Sequence, residues 1–242
     1  MNLRLAFFGL LVALPWAVRA DVPPTEALQP FQATYQVFHD GRELGEATMQ
    51  LVHVDGTRWR VDLVMRGSGL MRLTGLNLQQ STVFDTNGHD YRPLTQSTVK
   101  RAFLSSRKTL GIYDWSRRTV QWTGDVRKGH AGPVALQDGD MSGLLIDLAV
   151  IRDAAPGSAL HYRFVDDGRV RDHQWVVAPA TESISVGELS YDAMRANRIQ
   201  DGGDDTLIWV AMGVPTPIRI LQREDGSDST DLRLIQYTGV IQ

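Results

Sequence analysis

ATMQLVHVDGTRWRVDLVMR, residues 47–66, alternates in steps of two on either side of an Asp55-Gly56 turn. Ala47, Met49, Leu51 and His53 share one strand face, and Trp59, Val61, Leu63 and Met65 share one face of the next. Arg58, Arg60, Asp62 and Arg66 point the other way. A two-residue period marks a strand with one wet side, and Asp-Gly between two such runs signals a tight hairpin. The stretch therefore predicts an antiparallel sheet with one apolar face.

The pattern extends in both directions. Upstream, Phe31, Ala33, Tyr35 and Val37 repeat it before a turn at His39-Asp40-Gly41-Arg42. Downstream, strands are expected at 78–84, 94–100, 107–115, 119–124, 160–166, 170–178, 184–187, 189–200, 206–212, 216–223 and 231–238. Asn87-Gly88, Asp167-Gly168, Asp201-Gly202-Gly203 and Asp225-Gly226 supply turn signals among them. So many short strands predict a mainly β fold, an antiparallel and strongly curved sheet or open barrel-like architecture. The glycine-bearing segment Gly67–Leu78, with Leu70, Met71, Leu73 and Leu76, reads either as a bent strand or as an apolar lid.

One passage breaks the period. In QDGDMSGLLIDLAVIRDAAPGS, residues 137–158, Met141, Leu144, Leu145, Leu148 and Ile151 recur at three and four residues. That is an amphipathic helix over about 140–154, covering or plugging the sheet. Asp140 and Ser142 are expected at its start, where a carboxylate or hydroxyl accepts free backbone N–H groups. Pro156-Gly157 stops it.

The N-terminus reads as a secretory signal peptide over 1–20. Arg4 supplies the charge, Leu5 to Val18 the apolar stretch, and Val18-Arg19-Ala20 the cleavage pattern. Cleavage after Ala20 leaves 21–242 as a single β-rich domain. The chain has no cysteine, so neither disulfides nor lipoprotein acylation apply, and a bacterial periplasm is the expected compartment. The mature part contains no apolar run of the roughly 20 residues a transmembrane helix needs. Arg4 and Arg19 leave with the signal, so 25 basic residues become 23 against 28 acidic, a net charge of −5. Nucleic acid is a poor partner for such a chain.

Catalytic motifs are missing. There is no GxSxG elbow, Walker loop, GxGxxG or HExxH, and the six histidines (His39, His53, His89, His130, His161 and His173) form no metal-ligand spacing. Asp138-Gly139-Asp140 lacks the further carboxylates of a calcium loop, and Asp201-Gly202-Gly203-Asp204-Asp205 reads as a solvated turn. No cofactor or metal is expected. The short basic clusters Arg117-Arg118 and Arg169-Val170-Arg171 read as solvated strand faces. Five tryptophans remain after the signal, at 59, 115, 122, 175 and 209, all in expected strands. They suit a core, and Trp59, Trp115 and Trp209 are the candidates for contacting a ligand.

Several segments, in order, carry a family resemblance. They are Leu44-Gly45-Glu46-Ala47, Tyr91-Arg92-Pro93, Asp140-Met141-Ser142 before a Leu-rich helix, Trp209-Val210, and Pro217-Ile218-Arg219-Ile220. Together they resemble the domain of unknown function 3108 family, exported β-rich proteins of Gram-negative bacteria. The resemblance implies a periplasmic, mostly antiparallel β architecture and transfers no active site. Pro217 and Arg219 match the family's Pro-x-Arg segment and suit a strand start and an outward charge. The function expected is non-enzymatic binding of an apolar or amphipathic, lipid-like envelope molecule. The alternatives are a structural or partner-binding envelope protein without a cavity, and a cell-wall glycan hydrolase with unidentified carboxylates.

Overall fold

A computed structural model describes residues 28–68, 77–102, 105–200 and 204–239. The opening hairpin is present as β2 (Arg42–Asp55) and β3 (Arg58–Gly67), preceded by β1 (Phe31–His39). Next come β4 (Asn77–Asn87), β5 (Asp90–Ala102), β6 (Ser105–Asp114) and β7 (Thr119–Gly124). Two short strands, β8 (Val134–Ala135) and β9 (Asp140–Met141), lead into α1 (Gly143–Asp153). The remaining strands are β10 (Ala159–Asp166), β11 (Arg169–Val177), β12 (Glu182–Val186), β13 (Leu189–Ile199), β14 (Asp205–Ala211), β15 (Arg219–Glu224) and β16 (Ser227–Gly239). The 69–76 part of the bent-strand-or-lid segment lies outside the described residues, as do 201–203 of the glycine-rich turn.

One sheet holds all of these strands, in the order β8-β7-β6-β5-β4-β3-β2-β1-β16-β15-β14-β13-β11-β10-β9, with β12 also paired to β13. Neighbours are antiparallel except β9, which runs parallel to β10. Register shifts in the β1–β2, β2–β3, β4–β5 and β1–β16 ladders mark bulges, which bend a strand and increase its twist. The sheet therefore rolls up, and its ends overlap instead of pairing. Val165 of β10 is buried against Tyr113, Val120 and Trp122 on the inner side of β6 and β7. The Tyr113 hydroxyl donates to the Val165 carbonyl at 3.1 Å.

The expected alternation is realised. Phe31, Ala33, Tyr35 and Val37, then Ala47, Met49 and Leu51, then Val61 and Leu63, face a common core. Tyr35 reaches across it, its hydroxyl bonding the Thr216 side chain and donating to the Pro217 carbonyl at 3.0 Å. Pro217 thus precedes β15, which begins at Arg219. Arg219 lies over the Trp209 ring at 4.9 Å and forms a two-pronged pair with the buried Asp231, both contacts 2.8 Å. It is a packed cation rather than a simple outward charge.

The helix is shorter and more buried than its spacing suggested. Besides the expected Leu144, Leu145 and Leu148, the residues Ile146, Ala149 and Val150 are also buried. A helix apolar on most sides belongs inside a fold rather than on its surface. Accordingly, α1 packs against β3, β4, β10 and β14, so it plugs the rolled sheet.

Asp140 and Ser142 divide the roles expected of the helix start. Ser142 is the N-cap, its Oγ accepting from the Leu145 N–H at 3.4 Å and lying 2.9 Å from the Thr82 Oγ of β4. Asp140 is not at the helix terminus but in β9, fully buried. One carboxylate oxygen accepts from the Gln137 N–H at 2.8 Å, and the other is paired with Arg163 of β10. Parallel pairing of β9 with β10 takes these residues before the helix can begin.

The two positions should differ in stability. Ser142→Ala removes one cap and is expected to cost about 0.5–2 kcal/mol. Asp140→Ala leaves the Arg163 guanidinium, itself largely buried, without its partner, and the expected cost is about 3 kcal/mol or more. Chemical denaturation of both variants checks this; equal losses would mean that Asp140 serves only as a cap.

Candidate functional site

Inward-facing polarity is concentrated at one end of the rolled sheet. On one wall, cross-strand pairing aligns Gln80, Thr98 and Thr109 in one row and Leu78, Lys100 and Arg107 in the next. On the facing wall, Phe164 pairs with Arg171 and Asp166 with Arg169 across the β10–β11 hairpin. The walls enclose a cleft of about 220 Å³ that Arg127 also lines.

The hairpin forming the second wall is held in place by its turn. Gly168 has φ +73, and a Cβ there would come within 2.1 Å of the His130 carbonyl oxygen, so only glycine fits. His130 Nδ1 lies 3.1 Å from the Asp167 carbonyl, and the Arg169 Nε donates to His130 Nε2 at 3.3 Å. Those two bonds select the neutral imidazole with its proton on Nδ1. The Asp167 carboxylate is 2.9 Å from Arg107 and 3.9 Å from Arg127.

Charge in the cleft is unbalanced. Lys100, Arg107, Arg127, Arg169 and Arg171 face two carboxylates, Asp166 and Asp167. Arg107 and Arg127 are matched to Asp167. Among the described residues Lys100 and Arg171 form no ion pair within 4 Å, although Lys100 acts electrostatically on Asp166, and Arg169 touches only the His130 imidazole. Burial pushes the Asp166 carboxyl up from its ordinary range, the neighbouring Asp167 charge adds to this, and Lys100 and the Gln96 hydrogen bond oppose it. The cleft therefore carries a net positive charge, and because Lys100 and Arg171 are exposed its attraction for an anion is sensitive to salt.

A smaller recess of about 50 Å³ continues inward from the cleft and shares Gln80, Thr98, Phe164 and Asp166 with it. Its inner lining includes Thr82, Gln96, the N-cap Ser142 and the first residues of α1, Gly143 and Leu144. The Gln96 amide is oriented from both sides: Tyr113 donates to its Oε1 at 2.8 Å, and its Nε2 donates to Asp166 Oδ1 at 2.8 Å. The Phe164 ring is stacked on His173 at 4.6 Å.

The tryptophan candidates do not meet at this cleft. Trp59 packs against the core from β3, with the His53 ring 4.8 Å away. Trp115 lies beyond the end of β6 in a turn, not a strand; its Nε1 donates to the Pro93 carbonyl at 2.7 Å and Arg92 covers its ring. Trp209 lies between Arg219 and Glu182, to which its indole N–H donates. The other two, Trp122 and Trp175, are buried. Among the described residues no group of three or more His, Asp or Glu is placed to hold a metal ion.

Sequence reasoning placed Arg169 and Arg171 on a solvated face; Arg171 is indeed exposed and Arg169 half-buried, but both line the cleft. The signal for that lies in RVRDHQWVV, residues 169–177. Arg169, Arg171 and His173 share parity with Trp175 and Val177, which are both buried. Cations in phase with a buried apolar run lie on the inner side of the strand, here at its solvent-reached end.

The fold and cleft define a class: an open, barrel-like β-sheet rolled around one helix, with a basic opening at one end. This chain belongs to the family described as protein of unknown function (DUF3108), whose model matches residues 31–233. A crystal structure of a beta-barrel-like protein of domain of unknown function DUF1849 from Brucella abortus shares the fold. It aligns over 88% of this chain and 99% of that one, with a TM-score of 0.54 and 12% identity. No curated protein matches the sequence.

Farther inside, two titrating groups lie near the Arg198 guanidinium with opposite effects. Desolvation raises Asp147 of α1 from 3.8 to about 7, with Arg198 partly opposing it. Desolvation lowers His173 from 6.5 to about 4, helped by Arg198 and Arg171. Between pH 3.8 and about 7 the folded chain holds Asp147's proton more tightly than the unfolded chain, so this group makes stability fall as pH rises. Between about pH 4 and 6.5 folding excludes the His173 proton, so that group makes stability rise. Asp147→Asn should leave a melting temperature that climbs toward pH 6.5, and His173→Phe one that falls toward pH 7. Thermal melts of both variants across this range check the signs; parallel profiles would refute them.

Proposed function

We propose that this is an exported, non-enzymatic binding protein of the bacterial periplasm that holds the anionic head group of an amphipathic envelope molecule. The carrying observation is the excess of cations in the cleft: five line it against two carboxylates, and Lys100, Arg169 and Arg171 form no close ion pair among the described residues. Charges so placed attract an anion and disfavour a cationic ligand. The volume of about 220 Å³ lies below the roughly 300–1,000 Å³ of pockets that enclose a whole drug-sized ligand. With α1 plugging the apolar interior, a head group enters and an acyl chain stays outside.

Support for export comes from residues 1–20, with their charged start, apolar stretch and small-residue end. Among the described residues no helix is long and apolar enough to cross a membrane. Binding is better supported than glycan hydrolysis, which needs two available carboxylates. Asp167 is engaged by Arg107 and Arg127, which leaves Asp166 as the cleft's remaining acid.

Calorimetric titration with dihexanoyl phosphatidic acid and dihexanoyl phosphatidylcholine tests the reading. The anionic lipid should bind and weaken as salt rises. The double variant Lys100→Gln, Arg171→Gln removes charges that form no close ion pair, should fold normally, and should lose roughly tenfold or more in affinity. Equal binding of the choline lipid, or an unchanged double variant, would reject the proposal.

A further inference from the structure

The cations at the cleft opening account for an anion but not for the cavity's deeper half, which offers neutral hydrogen-bonding groups and one carboxylate. Gln80 and Thr98 line both cavities, Gln96 and Ser142 line the recess, and Asp166 stands where the two join. A bare phosphate placed beside Asp166 would meet a like charge. A carboxylate accepts hydrogen bonds and cannot donate them when ionised, so its natural neighbour is an O–H. Amides and hydroxyls that both donate and accept match groups that do the same. Phe164, also at the junction, adds an apolar ring surface whose orientation is fixed by its stack on His173. Vicinal hydroxyls on an apolar ring, attached to an anionic group, satisfy all of these together.

Building on the anion-binding reading of the cleft, we infer that the head group is an anionic monosaccharide. Its phosphate or carboxylate lies with Lys100, Arg169 and Arg171, its ring against Phe164, and its hydroxyls on Gln80, Thr98 and Asp166. Gln96, held by Tyr113, keeps the Asp166 carboxylate oriented and is a positioning residue. The geometry applies equally to a free sugar acid or sugar phosphate and to the same group on a lipid.

The test is calorimetric titration of the full mature chain with glucose 1-phosphate, glucuronate, inorganic phosphate and glucose. At least one of the two anionic sugars should bind roughly tenfold or more tightly than phosphate, and glucose weakly. Asp166→Asn keeps an acceptor for Gln96 and should fold. It should weaken the anionic sugar while leaving phosphate equal or tighter, because a repulsive charge is gone. Equal wild-type affinity for phosphate and both anionic sugars, or an Asp166→Asn variant that shifts phosphate and sugar alike, overturns the saccharide assignment and leaves the anion site standing. Failure of every anion to bind overturns both. Where an anionic sugar is preferred, an octyl glycoside of glucose 6-phosphate compared with glucose 6-phosphate separates the sources. Tighter binding of the octyl form indicates a lipid-borne sugar, and equal binding a soluble one.

Discussion

Ser142 joins the helix to the sheet. Its Oγ accepts the Leu145 N–H that begins α1 and lies 2.9 Å from Thr82 in β4, while two residues earlier Asp140 binds Arg163 in β10. One short segment thereby attaches to both overlapping walls. Among the described residues the sheet ends at β8 and β9, and its inner face is largely apolar, so its rolled shape depends on something filling the centre. Anchored at its start, α1 presents Leu145, Ala149 and Val150 to that centre, and the overlap of β10 with β6 and β7 follows from where the anchor places β9.

The same anchor sets the character of the cleft. Polar groups at the helix start occupy one end of the interior, where Gln80, Gln96, Thr98 and Asp166 also face inward. Below them the core is apolar. Charged residues survive on an inner face only where solvent reaches them or a partner does. At this end Asp167 partners Arg107 and Arg127, His130 receives Arg169, and Lys100 and Arg171 remain open to the cleft. The positive potential therefore results from incomplete pairing in a chain whose overall charge is negative.

Residues such as Ala47, Met49 and Leu51 made the fold legible, because a two-residue period and a buried face are the same fact seen in sequence and in space. Tyr35 and Val61 behave likewise. The helix was legible from Leu144, Leu145 and Leu148, but its surroundings were not: Ile146 and Ala149 fit a stripe's edge or a buried side equally well until β3 and β14 are placed around them. Asp140 looked like a cap because a carboxylate before a leucine-rich run usually is one. Its partner Arg163 stands twenty-three residues away, and only parallel pairing brings it near.

The cleft was less legible for a related reason. Alternation separates the two faces of a strand but does not say which lines a cleft, and Arg169 and Arg171 read only as solvated charge, which Arg171 remains while lining the cleft. Trp59, Trp115 and Trp209 drew attention by size, while the cleft is built mainly from arginine, lysine, aspartate and threonine side chains. By itself the sequence determined most strand and turn positions, the presence of the helix, and the absence of recognisable catalytic motifs, since these depend on local periodicity and residue chemistry. Tertiary structure alone decided that Lys100 faces Arg171, that Gln96 holds Asp166, and that the helix is enclosed. Each of those joins strands distant in the chain, and the bulges and the Ser142 anchor that bring them together leave no period to read.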